Sequence, residues 1–202
     1  MTVKMIADRK AAILEAFMNL VRRFGVDKTT MQDVAREGGM SVGVIYKDFA
    51  NKDDLIDAYV KKLIQQVLYE CRQLAEQPKP AKELLHDLII GFCKLIGEYV
   101  NQDRGFLQCI FGDLYVGQFQ QKSCQFKDFF RNGLEPMIAA ILAKGRAVGV
   151  FDLQDDDTET AAYLFDAFGA YLFELGIYQK DLAEILPKVE KLFGFIIKAI
   201  EK

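Results

Sequence analysis

A chain of 202 residues with 51% hydrophobic and 27% charged residues has enough apolar material for a full core, which argues against disorder. Its net charge of −3 does not by itself point to nucleic acid. Residues 1–54 hold nine Lys/Arg and eight Asp/Glu, a net +1, and leave −4 for the rest, a weak asymmetry in the direction a DNA-binding N-terminus needs.

Taken in chain order, helices account for nearly everything. Ile6, Ile13, Phe17, Leu20, Val21 and Phe24 recur at helical spacing and predict an amphipathic helix over Val3–Phe24, stopped by Gly25. Two short helices follow within Thr30–Phe49. Asn51 then caps a fourth helix, with Asp53 and Asp54 in its first turn, that runs to about Gln77 and ends at Pro78 and Pro80. Further helices are expected near Ala81–Asn101, Gly105–Phe119, Lys122–Val148, Asp156–Tyr178 and Leu182–Glu201. Pro136 is expected to kink or split the helix that holds it, and Pro187 to mark the first turn of the last helix in place of Leu182. No alternation suggests a strand, so the expected class is all-α.

The stretch TMQDVAREGGMSVGVIYKDF, Thr30–Phe49, carries the most information. Thr30 and Asp33 have capping-box spacing. Met31, Val34 and Ala35 form one apolar face, and Gly38 and Gly39 end that helix because glycine tolerates the positive φ of a tight turn. Ser41 is the expected cap of a second helix with Val44 and Ile45 apolar and Phe49 just beyond. Small Ala35, turning Gly39 and buried-type Ile45 fall where two steeply crossing helices require them, as in a helix-turn-helix. The pattern alone also fits two capped helices in a protein that never touches DNA.

The segment GVDKTTMQDVAREGGMSVGVIYKDFANKDDL, Gly25–Leu55, resembles the N-terminal DNA-binding domain of TetR-type (tetracycline-repressor family) transcriptional regulators. The resemblance covers about the first quarter of the chain. Beyond it the match is in length and helical pattern. It implies a helix-turn-helix domain over 1–50 and a larger helical ligand-binding and dimerisation domain over 51–202. It implies a homodimer reading palindromic double-stranded DNA, and a repressor released by a small effector. DNA-contacting candidates are Thr30, Ser41, Val42, Gly43, Val44, Tyr46, Lys47 and Lys52. Ser41–Lys47 would enter the major groove, with Tyr46 and Lys52 on phosphates. Two departures stand out. Val44 replaces a hydroxyl residue common in the family, and Asp48 puts an acid near the DNA face.

In the C-terminal part, phenylalanines crowd Gly91–Phe130. Phe92, Ile96, Tyr99, Phe106, Cys109, Ile110, Phe126 and Phe130 are candidate walls of a hydrophobic or aromatic effector pocket, with Asp113 as a polar contact. The competing reading is that these aromatics simply fill a core. Leu164, Phe165, Phe168, Leu172 and Phe173, with Leu192, Phe193, Ile196 and Ile200, give two apolar stripes for a four-helix dimer interface, and Gly169 and Ala170 would allow close approach.

No catalytic motif occurs, and the single histidine, His86, leaves little for an enzyme. Four scattered cysteines (71, 93, 109, 124) without C-x-x-C spacing give no zinc site, and the acidic run Asp152–Asp157 lacks the glycine and spacing of a calcium loop. No metal or cofactor is expected. The charged, helical start without an apolar signal region suggests a cytoplasmic protein with free thiols. Ala161–Tyr178, the most apolar stretch, contains Asp166 and Glu174 and reads as a buried helix. The alternative to a regulator is a helical small-molecule or protein-binding module without DNA binding.

Overall fold

The computed structural model describes residues 3–103, 106, 120–153, 156–176 and 180–202, with backbone alone for 3–4, 120–126 and 172–176. Eight helices lie among the described residues: α1 (Val3–Phe24), α2 (Met31–Glu37), α3 (Val42–Asp48), α4 (Lys52–Ala75), α5 (Ala81–Gln102), α6 (Gln120–Ala147), α7 (Asp157–Gly176) and α8 (Leu182–Ile200). The expected helix over Gly105–Phe119 lies outside the described residues except for Phe106. Among the described residues, no helix is long and apolar enough to cross a membrane.

The chain divides into two compact units. The first is built on Met1–Leu63 and takes in Asp103 and Phe106 from far along the chain. Ile13, Phe17, Leu20 and Val21 of α1 form the inner face of this unit, with Val34 and Ala35 of α2, Ile45 of α3, and Phe49 and Leu55 beyond it. Phe24, expected on the apolar face of α1, is 51% exposed, because the helix runs past the core it covers.

Phe106 is 2% exposed and meets Phe17 edge-on with centroids 6.4 Å apart and Tyr59 at 5.1 Å. Beside it Asp103, 3% exposed, accepts from Arg22 Nε at 2.6 Å, Arg22 Nη2 at 3.2 Å and Tyr59 Oη at 2.5 Å. Three donors on one carboxylate meet the condition for burying a charge.

The second unit comprises the described residues of Ile64–Gln102 and Ile110–Lys202. Helix α5 is its spine, burying Leu84, Leu85, Leu88, Ile89, Phe92, Cys93 and Ile96. Around it lie Phe130, Leu134, Ile138 and Leu142 of α6, Leu164, Phe165 and Phe168 of α7, and Ile185, Val189, Phe193 and Ile197 of α8. Pro136 sits inside α6, which continues through it as one helix. Pro187 likewise lies inside α8, which starts at Leu182 behind Asp181; the expectation that Pro187 stands in the first turn is corrected.

The acidic run before α7 works as a cap. Asp156 Oδ1 accepts from the amides of Thr158 at 2.7 Å and Glu159 at 2.8 Å, which satisfies helix donors that would otherwise lack partners. At the far end, Asp152 donates its amide to Ile200 O at 2.7 Å and Lys202 to Val150 O at 3.1 Å, pinning the end of α8 to the turn after α6.

Candidate nucleic-acid interface

Helices α2 and α3 are placed by features read from sequence and by one that is not. Thr30 makes a reciprocal capping box: its Oγ1 accepts from Asp33 N at 3.2 Å, and Asp33 Oδ2 accepts from Thr30 N at 3.1 Å. The Thr30 hydroxyl also donates to Asp33 Oδ2 at 2.6 Å, so it is already engaged, and these bonds hold the Asp33 carboxyl below the usual range. Gly39 turns the chain at φ 63, a left-handed value that costs a side-chain-bearing residue about 1–2 kcal/mol. Ser41 occupies the N-cap position of α3, but its side chain makes no capping hydrogen bond; the expected cap is absent.

On α3, Ile45 is fully buried and is the helix's anchor in the core. The other side of the helix looks outward. Ser41, Gly43, Tyr46 and Lys47 are exposed, and Val42 and Val44 are half-buried. Tyr46 is 52% exposed. Lys52 differs from expectation. Its Nζ donates to Val26 O at 2.9 Å and closes the turn between α1 and α2, so its first role is structural. An ammonium has three donors, and two remain after that bond.

Asp48, the acid that stood out in the sequence, is held by α1. Arg9 donates from Nε to Oδ2 at 2.6 Å and from Nη2 to Oδ1 at 2.8 Å, a fork on a fork. The Asp48 side chain is 5% exposed and that of Arg9 18%. The guanidinium bonds hold the Asp48 carboxyl below its usual range despite burial, which acts the other way. Next to it, Lys10 Nζ lies 5.9 Å from the Phe49 ring centroid. Sequence reading missed Arg9, because a pairing across 39 residues leaves no periodic trace.

The family model for bacterial regulatory proteins of the tetR family matches residues 13–59. Residues 13–59 therefore resemble a TetR-type domain. Two curated relatives agree. An uncharacterized HTH-type transcriptional regulator, YhgD of Bacillus subtilis, is 34% identical over 82 residues, covering 41% of this chain and 43% of the relative. The HTH-type nicotine-responsive transcriptional repressor HdnoR of Paenarthrobacter nicotinovorans is 22% identical over 95 residues, covering 46% and 49%. The chain thus spans less than half the length of either curated relative. A TetR transcription regulator from Haloarcula marismortui has a similar fold throughout, with TM-score 0.69 at 20% identity over 97% of this chain and 100% of that one.

In the second unit of this TetR-type fold, the expected effector wall divides. Phe92 and Phe130 pack edge-to-face with centroids 5.3 Å apart, and a void that Phe92 lines with Leu88, Leu134, Ile138, Phe165 and Phe168 among others is only about 20 Å³. Ile96 is buried. The Tyr99 phenol is pushed up by burial and by the carboxylates of Glu70 and Glu98, and it hydrogen-bonds Glu70. Phe106 is a correction: it belongs to the first unit, because Phe17 and Tyr59 there offer edge-on ring contacts. Cys109, Ile110, Asp113 and the Phe126 side chain lie outside the described residues.

The expected dimer stripes are partly spent inside the chain. Leu164, Phe165, Phe168 and Phe193 are buried, while Leu192, Ile196 and Ile200 are half-buried. Among the described residues, Tyr163 at 60% and Phe195 at 62% exposed are the large apolar groups that α7 and α8 present outward. The side chains of Leu172 and Phe173 lie outside the described residues. A larger groove of about 590 Å³ runs along Arg72, Gln77, Leu84, Asn132, Met137 and Lys144.

Proposed function

We propose that this chain is a ligand-responsive DNA-binding transcriptional regulator acting as a repressor. The observation that carries the reading is α3. It is anchored on one side by Ile45 and presents Val42, Gly43, Val44, Tyr46 and Lys47 on the other, on a TetR-type domain. A short helix with one anchor and a partly apolar outer face carrying one cation suits the major groove, where valines meet thymine methyls and Lys47 reaches guanine acceptors. Thr30 and Ser41 lie at helix starts near the phosphates, and Tyr46 and Lys52 are phosphate partners. A palindromic operator follows if two copies pair through the outward faces of α7 and α8.

The effector part of the proposal rests on Phe92, Ile96 and Tyr99 of α5, with Phe130 opposite. Their chemistry suits a small hydrophobic or aromatic compound whose binding parts α5 from its neighbours, since the void that Phe92 lines holds about one water. HdnoR is named as nicotine-responsive, which supports ligand control in this chain. A compound that favours one spacing of the two DNA-binding units over another would release DNA.

Selection of duplexes from a random library tests the reading. The wild type is expected to enrich a two-fold symmetric sequence, and a Tyr46→Ala, Lys47→Ala variant of equal helicity to enrich none. Absence of enrichment by the wild type would favour the alternative, a helical binding module without DNA binding.

A further inference from the structure

We infer that Arg9 is a positioning residue for DNA recognition, holding α3 by its C-terminal end and cancelling the acid that this chain carries there. The inference rests on the DNA-binding reading above and goes beyond it to a residue outside the helix-turn-helix.

Three observations converge on it. First, Asp48 is the last residue of α3, where an acid opposes the helix dipole and would repel an approaching phosphate. Its side chain is nonetheless 5% exposed, with both oxygens taken by the Arg9 fork at 2.6 and 2.8 Å. Second, α3 has few other holds. Only Ile45 of its seven residues is buried, Ser41 gives no side-chain cap, and the run V-G-V-I-Y-K-D is poor in helix formers. Third, the neighbouring residues repeat the arrangement: Lys10 of α1 stands over Phe49, the residue that closes α3. Two consecutive residues of α1 therefore hold two consecutive residues at the end of α3.

Two consequences follow. The pitch of α3 is set from α1 as well as from the core. The charge beside the reading face depends on Arg9 being present: without it, the Asp48 carboxylate keeps only the longer-range attraction of Lys10 on the helix that approaches the phosphates. Losing the two partners is therefore not equivalent. Losing Asp48 leaves a cation, which DNA tolerates; losing Arg9 leaves an anion, which DNA repels.

The test compares Arg9→Met, Asp48→Asn and the double variant on the duplex that the wild type selects, at a temperature where circular dichroism shows all of them fully helical. Arg9→Met is expected to weaken binding by about tenfold or more, and Asp48→Asn by clearly less. The double variant should recover much of the loss, because the carboxylate stripped of its guanidinium is gone. Should Arg9→Met fail to fold, Arg9→Lys carries the comparison. It keeps the charge without the fork and is expected to lie between wild type and Asp48→Asn in affinity while losing thermal stability. Equal losses in Arg9→Met and Asp48→Asn, or no recovery in the double variant, would reduce the pair to a folding contact and overturn the inference while the wild type still binds. A wild type that selects no duplex would instead overturn the DNA-binding reading, and this inference with it.

Discussion

Gly43 occupies the exposed side of α3, and a Cβ built there would meet no atom within 4 Å. Nothing within the described residues requires glycine at this position, although glycine in a helix costs up to about 1 kcal/mol relative to alanine. Gly43→Ala should therefore leave the fold unharmed or raise its thermal midpoint slightly. If Val42–Lys47 meets DNA backbone-close, the same change should weaken operator binding. Thermal melts and binding titrations on one preparation check this; a variant that is more stable and binds as well as wild type would count against close approach at this residue. Asp48 supplies a second check. Its carboxyl is held below the ordinary value of about 3.9 by Arg9, so its contribution to stability is complete above about pH 4 and is lost as pH falls through the depressed folded value. Acid unfolding of Asp48→Asn should be flatter than wild type below that pH, with the variant less stable near neutrality. Cys71 and Cys93, by contrast, are buried thiols pushed up to about 12, which makes them inert packing groups.

At the scale of elements, the first unit is completed by residues that lie far from it in sequence. Asp103 joins Arg22 of α1 to Tyr59 of α4, and Phe106 fills the space between Phe17 and Tyr59. Asp103→Ala should destabilise the unit by about 3 kcal/mol, since it strips three donors of one acceptor, and Tyr59→Phe by about 1 kcal/mol. Chemical denaturation followed by circular dichroism measures both, and losses below half of these figures would show the network to be dispensable. These elements also mark what was legible in the sequence. The capping box at Thr30, the turn at Gly39, the anchor Ile45 and the run of helices all follow from local rules, because caps, turns and 3.6-residue periodicity are short-range effects. The Arg9–Asp48 fork and the seat of Phe106 depend on residues brought together by tertiary packing, and single-sequence periodicity is blind to them. The same limit explains Phe106: its aromatic character announced burial but not among which neighbours. Ser41 shows the reverse failure, a residue of the right type at the right position whose hydroxyl makes no cap.

For the whole molecule, the proposed reading of a palindrome calls for two copies. Among the described residues, the large apolar groups that α7 and α8 turn outward are Tyr163 and Phe195, with Leu192, Ile196 and Ile200 half-covered. Phe195 is 62% exposed, so Phe195→Glu should leave the fold intact while opposing self-association through an apolar helix face. Light scattering at micromolar concentration is expected to show a dimer for wild type and a shift towards monomer for the variant; identical masses would place the interface elsewhere. The central proposal, that this chain reads DNA through α3, is tested most directly by a fluorescence-anisotropy titration. The titration uses the wild type's selected duplex and a scrambled duplex of equal length, each at two salt concentrations. The account predicts that the selected duplex binds at least about a thousandfold more tightly than the scrambled one at physiological salt, with both weakening as salt rises. Equal affinity for the two duplexes, or no binding even at low salt, would contradict it.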